Sequence, residues 1–153
     1  MVRAVVLLML CTGLASAQAK KAATKISEVE QAVIDATNAE RKAKKLEPLK
    51  MNPQLMDAAR AHAANMAKQD KLAHELDGEN VDKRAVKAGY RYRRIGENVA
   101  WNQKDAAQVL EGWMNSEGHR KNILNDQFAE IGVAAVANAK GEIYWVQVFG
   151  RSR

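Results

Sequence analysis

The sequence predicts an α+β fold, with helices first, antiparallel strands last, and the helices covering the sheet. Three observations lead there. From Ser27 to Asn115 apolar residues recur three and four apart, between cap residues and breakers. From Ile131 onward the period becomes two. In the last strand both alternating sets are largely apolar: Ile143, Trp145, Gln147 and Phe149 share one face, and Tyr144, Val146 and Val148 the other. A strand apolar on both faces is covered on both. Helices and strands segregated along the chain are the α+β pattern.

Each element has its local reason. Ser27 and Glu30 form a capping box, and Val29, Val33, Ala36 and Glu40 fall on one helical face, so a first helix runs to about Leu46 and Pro48 closes it. Asn52-Pro53 opens the second helix as N-cap and first-turn proline. Leu55, Ala59, His62 and Met66 give that helix its inner face, and it ends near Lys71. Asp77-Gly78 marks a turn. A short helix covers about Val81 to Ala88 and stops at Gly89. Tyr90 to Ala100 reads equally as strand or loop. Asp105 to Asn115 is helical through Ala106, Val109, Leu110 and Trp113. Ile131, Val133 and Ala135 then alternate, and a turn at Asn138-Ala139-Lys140-Gly141 closes a β-hairpin with the last strand.

The chain divides into a leader and one domain. Residues 1–17 have the form of a secretory signal peptide: Arg3, an apolar run from Ala4 to Leu14 too short to span a bilayer, and the small-residue site Ala15-Ser16-Ala17. The alternatives are a retained anchor, disfavoured by the length of the run, and a lipoprotein at Cys11, disfavoured by Leu10 just before it. Residues 18–26 are a small, polar leader, and 27–151 form a single domain large enough for its own core. Cys11 is the only cysteine, so processing leaves none and no disulfide can form within the chain. The expected location is secreted or periplasmic, with no transmembrane segment after processing. The formal net charge of +6 is spread over Lys20-Lys21, Arg41 to Lys45 and Arg91 to Arg94. Solvated helix surface accounts for these runs better than a nucleic-acid face, and weak attraction to anionic envelope polymers or lipid head groups stays open.

The chemistry-bearing residues cluster in Gly96-Glu97-Asn98, in Gly112-Trp113-Met114-Asn115-Ser116-Glu117-Gly118-His119-Arg120-Lys121-Asn122-Ile123-Leu124, and before Ile131-Gly132-Val133. With His74 they suggest two imidazoles and a carboxylate converging on one cleft, the vocabulary of a metal or acid–base site. Two neutral imidazoles and a carboxylate can hold Zn²⁺ and leave a position for water. Glu97 is expected to accept hydrogen bonds from loop backbone as well as to face the cleft. Arg120 and Asn122 are expected to tie down a loop after His119. Ser116 lacks a nucleophile-elbow sequence and an acidic orienter for His119, which argues against serine hydrolysis. His62 is expected to be a core histidine bonded to backbone or water. At least two of Trp101, Trp113 and Trp145 should be core.

The ordered set Asn38-Ala39-Glu40-Arg41, Leu55-x-x-Ala58-x-x-x-His62-Ala63, His74, Gly96-Glu97-Asn98, Gly112-Trp113-Met114, Gly118-His119-Arg120-x-Asn122-Ile123-Leu124, Ile131-Gly132-Val133 and Tyr144-Trp145-Val146-Gln147 resembles the CAP superfamily. That superfamily groups cysteine-rich secretory, antigen 5 and pathogenesis-related 1 proteins; the likeness is to its shorter bacterial form, over about residues 28–150. The resemblance implies an α-β-α sandwich with one open cleft. It also implies a tetrad of two His and two Glu that holds a divalent metal in some members. His74, Glu97 and His119 match three of the four. Ser116 stands at the second-Glu position, with Glu117 one residue on, and Asn98, Arg120 and Asn122 support the site. The implied role is a non-catalytic extracellular binding module, acting as a monomer on a lipid, an envelope polymer or a protein. Its metal, Zn²⁺ or similar, is optional and would rest on His74 and His119 near Glu97. A metal-dependent hydrolase at the same cleft is the alternative, and no nucleic-acid partner is expected.

Overall fold

The computed structural model describes residues 26–153. The expected signal peptide, Cys11, and the expected leader as far as residue 25 lie outside the described residues. The elements are α1 (Glu28–Ala43), β1 (Lys50–Met51), α2 (Pro53–Gln69), α3 (Val81–Lys87), β2 (Tyr92–Trp101), α4 (Ala106–Asn115), α5 (Glu117–Ile123), β3 (Glu130–Ala137) and β4 (Ile143–Ser152). The strands form one sheet in the order β1-β3-β4-β2.

The hairpin of β3 and β4 is antiparallel as expected, and β2 adds antiparallel to the outer side of β4. The 90–100 segment is therefore mostly strand, and β2 is an edge. The sheet is mixed rather than purely antiparallel, because β1 pairs parallel to β3 through Lys50–Glu130 and Met51–Ile131. Two residues are too short to show a period, so β1 left no pattern to read.

Two helical layers cover the sheet. Val33 and Ile34 of α1, Val109, Leu110 and Trp113 of α4 and Ile123 of α5 pack on the face carrying Ile131, Val133, Trp145 and Phe149. Leu55, Ala59, Ala63 and Met66 of α2, with Ala85 of α3, pack on the face carrying Ala134, Tyr144, Val146 and Val148. β4 is buried without interruption from Tyr144 to Gly150, which is why both its faces are apolar. Gly132 serves the closeness of this packing: a Cβ there would collide with the Leu55 carbonyl at the start of α2.

Some boundaries and faces differ from expectation. α1 has the capping box, with the Glu30 carboxylate accepting from the Ser27 amide at 2.9 Å. It ends at Ala43 rather than Leu46, and Lys45 adopts a left-handed conformation. Its buried face is Glu30, Val33, Ile34, Thr37 and Arg41, not the one through Val29 and Glu40. Polar side chains with buried partners sit on that face: Arg41 donates to the carbonyls of Glu47, Ile123 and Asn125. An apolar-only count of the period therefore rotates the face wrongly. Residues 117–123 are helical, although a loop was expected after His119. α5 is two turns long, buries only Ile123, and lacks a side-chain cap, so neither period nor cap announced it.

Candidate functional site

Strand β2 builds the site by alternation. Glu97 points toward the layer of α2 and α3, and Gly96 and Asn98 point toward the layer of α4 and α5. Gly96 is needed because a Cβ would come within 2.8 Å of the Phe128 ring.

On the first side, Glu97 accepts from Arg84 Nη2 at 2.5 Å through Oε2 and bonds His74 Nδ1 at 2.9 Å through Oε1. The side chains of Glu97 and Arg84 are 3% and 4% exposed, that of His74 60%. Glu97 thus accepts from side chains, not from loop backbone. It lies in a strand between two partners supplied by the α2–α3 connection and by α3. Arg84 Nη1 also donates to the carbonyls of His74 and Glu79, so one guanidinium fixes both the carboxylate and the loop that carries the histidine. Nothing singled out Arg84 in the sequence. Its signal was faint: a long cation in the last turn of a helix too short to show a face. The connection itself turns sharply at Asp77 and Gly78, both at positive φ.

His62 lies beneath, 1% exposed, with Nε2 2.7 Å from the Ala73 carbonyl. It is the backbone-bonded core histidine expected, and it anchors the residue before His74.

On the other side, Asn98 is fully buried. Its Nδ2 donates to the His119 carbonyl at 3.1 Å and to Gln147 Oε1 at 3.2 Å, and its Oδ1 accepts from Asn122 Nδ2 at 2.8 Å. Asn122 also donates to the Glu97 carbonyl at 3.1 Å, satisfying an acceptor on the free edge of β2. Gln147 donates on to Thr37 Oγ1, which donates to the Val33 carbonyl. A continuous buried polar chain thus ties α5 through the sheet to α1. Arg120 donates to the Met114 carbonyl at 2.7 Å and holds α5 against the end of α4.

His74 and His119 come from opposite helical layers, with the edge strand between them. His119 is half-buried. Their protonation equilibria are driven apart. The bond to Glu97 holds the His74 pKa above its ordinary value. Burial, and then the charge on His74, hold that of His119 below it. Of the two rings, His74 therefore holds its proton more readily than His119.

The remaining candidates sit differently. Glu117 is exposed and pairs with Lys121 at 2.6 Å, one turn along α5. Ser116 links α4 and α5, is half-buried and makes no capping bond. Among the described residues no hydrogen bond joins its hydroxyl to His119. No three His, Cys, Asp or Glu among the described residues gather in a geometry that would hold an ion. Both Glu97 oxygens are already engaged, by His74 and Arg84, so the two imidazoles are the freer donors. Trp113 and Trp145 are buried and Trp101 is 42% exposed. A cavity of about 480 Å³ lies not here but at the start of β2, lined by Val86, Gly89, Tyr90, Arg91, Tyr92 and Arg153. No helix among the described residues is long and apolar enough to cross a membrane.

Known proteins resemble this chain in sequence and in fold. The chain is 38% identical over 131 residues to Uncharacterized protein YkwD of Bacillus subtilis, covering 85% of this chain and 50% of that protein. It spans half the length of this curated relative, and 30% of YlbC, an uncharacterized membrane protein of the same organism. An extracellular protein containing an SCP domain from Bacillus anthracis superposes with a TM-score of 0.73 at 31% identity, over 80% of this chain and 40% of that one. An outer surface protein of Borrelia burgdorferi shares the fold at a TM-score of 0.79 and 20% identity, over 84% of this chain and 96% of that one. The profile of the Cysteine-rich secretory protein family matches residues 34–149, the span that holds the sheet, His74, Glu97 and His119, and the chain belongs to this family, CAP.

Proposed function

We propose that this protein is an exported, non-catalytic binding module whose ligand is read by His74 and His119 across the edge of β2. One observation carries the reading: an exposed imidazole is hydrogen-bonded to a buried ion pair, and among the described residues no nucleophile is hydrogen-bonded to either histidine. Glu97 and Arg84 orient the ring and leave its Nε2 outward. The pair offers a ring at 74 that holds a proton readily and one at 119 that gives it up readily, which suits a ligand with an acidic or strongly polar group, on a lipid or an envelope polymer. Export is supported by the leader sequence and by the extracellular nature of the Bacillus anthracis relative. A divalent ion would have only His74 and His119 to rest on. It should therefore bind weakly, and more weakly as pH falls and the imidazoles protonate.

Native mass spectrometry of protein purified from its own source is the test, on wild type and on the His74→Ala/His119→Ala variant. The expected result is a non-protein mass retained by wild type and lost by the variant. Retention by both removes the histidines from the site. Metal-dependent turnover of an ester or peptide panel that vanishes in the variant would favour the hydrolase instead.

A further inference from the structure

The other end of β2 has a different character. Five of the ten arginines in the chain, Arg91, Arg93, Arg94, Arg151 and Arg153, gather where β2 begins and β4 ends. The register shifts between Tyr92, opposite Ser152, and Arg94, opposite Arg151. The irregularity spreads the cluster over both faces of the sheet. On one face Arg91 and Arg153 border the 480 Å³ cavity beside Tyr90, Tyr92 and Val86. On the other, Arg93, Arg94 and Arg151 line a hollow of about 290 Å³ with Gln127 and a single carboxylate, Asp126.

Among the described residues none of these five arginines forms an ion pair with a carboxylate. Arg151 donates to the carbonyls of Gln127 and Asp126, and Arg153 to that of Tyr92. Such bonds fix the side chains without neutralising them. Arg91, Arg93 and Arg94 are exposed, and among the described residues their side chains make no hydrogen bond or ion pair. Other surface cations do find carboxylates, as in Lys87–Glu79, Lys121–Glu117 and Lys140–Asp70. Like charges directly opposite in an antiparallel pair, as Arg94 and Arg151 are, destabilise a sheet. The cluster therefore costs stability, and a bound anion would offset that.

We propose that this corner is an interaction surface for a linear polyanion bearing repeated phosphate groups, such as a phosphate-carrying envelope polymer. No lysine lines either hollow, and the planar guanidinium fork matches phosphate oxygens two at a time where an ammonium does not. A bilayer is flat and could meet only one of the two hollows. It would also want apolar anchors, and Val86 is the one large exposed apolar side chain at this corner. A flexible chain can turn around the strand end and reach both. The surface is independent of the histidine reading, since Arg94 and Glu97 lie on opposite faces of the strand and about 10 Å apart along it.

Calorimetric titration of the full chain with inorganic polyphosphate is the test. The Arg91→Ala/Arg93→Ala/Arg94→Ala variant is compared with Lys42→Ala/Lys44→Ala/Lys68→Ala, which removes equal charge elsewhere. The arginine variant should bind at least tenfold more weakly, with a shallower dependence of affinity on salt. The lysine variant should stay within about threefold of wild type. Equal loss in both variants reduces the effect to net charge and overturns the proposal. So does tighter binding to phosphatidylglycerol vesicles or to duplex DNA than to polyphosphate. Circular dichroism must show both variants folded; if the triple arginine variant is not, Arg93→Ala/Arg94→Ala replaces it under the same criteria.

Discussion

The two halves of β2 treat charge in opposite ways. At Glu97 and Asn98 every polar side chain is buried and partnered. The carboxylate has a guanidinium on one oxygen and an imidazole on the other, and the amide makes three hydrogen bonds. At Arg93 and Arg94, three residues away, cations are exposed and unpartnered. A buried charge without partners costs several kcal/mol, whereas an exposed one costs little. The first half is therefore written for folding as much as for binding. The second is free of that constraint, and what it carries is not explained by folding.

The largest expected effect breaks the first half. Glu97→Ala would leave the Arg84 guanidinium buried without a carboxylate, and Arg84→Met would leave the buried carboxylate with His74 as its one remaining partner. Each should cost about 3–5 kcal/mol, more than loss of backbone-donated bonds would cost, because the orphan is a full charge. The double variant should cost clearly less than the sum of the two. His74→Ala, at a half-exposed ring, should cost under about 1 kcal/mol. Urea unfolding of the four variants gives the comparison. A His74→Ala loss equal to that of Glu97→Ala would make the histidine a structural residue and end its role as a presented ligand.

That ordering shows what the sequence could and could not disclose. Glu97, Asn98 and His119 were legible because glycine beside ionisable residues is rare as packing. The family's ordered runs assigned His74. Arg84 was not legible: it is one cation among twenty-four basic residues, and only the fold reveals that it is buried. The helices α1 to α4 and the hairpin announced themselves through period and caps, with α1 ending early. β1 and α5 are too short to have a period. The buried face of α1 misled for another reason: Thr37 and Arg41 are inside because Gln147 and the carbonyls of Ile123 and Asn125, at the end of α5, await them in the tertiary structure.

A smaller effect sharpens the comparison through pH. Burial holds the pKa of His62 below its ordinary value, so the folded state prefers the neutral ring. Its share of stability should fall as pH drops below about 6.5, the ordinary histidine value. His74 runs the other way, its pKa raised by Glu97. Its contribution is full below about 6.5 and is lost as pH climbs through the folded value. Thermal melts across pH 5 to 8 should therefore show His62→Gln losing less stability than wild type on the acid side. His74→Ala should fall furthest behind wild type at the acid end. Parallel curves for all three would mean that neither ring couples protonation to folding.

The smallest effect belongs to the arginine end, and its sign matters more than its size. Arg94 faces Arg151 across the β2–β4 pair, and Asp126 is the single carboxylate lining the hollow they share. Removing one member relieves a repulsion, so Arg94→Ala should raise stability by a few tenths of a kcal/mol. Arg94→Glu, which turns the pair attractive, should raise it further. Both gains should shrink as salt screens the surface, so melts at low and high ionic strength separate charge from packing. A loss above about 0.5 kcal/mol for Arg94→Ala would mean that its aliphatic stem covers apolar surface the fold needs. A gain that fades with salt would mean that the sheet folds despite Arg94, and that its charge serves something outside the fold.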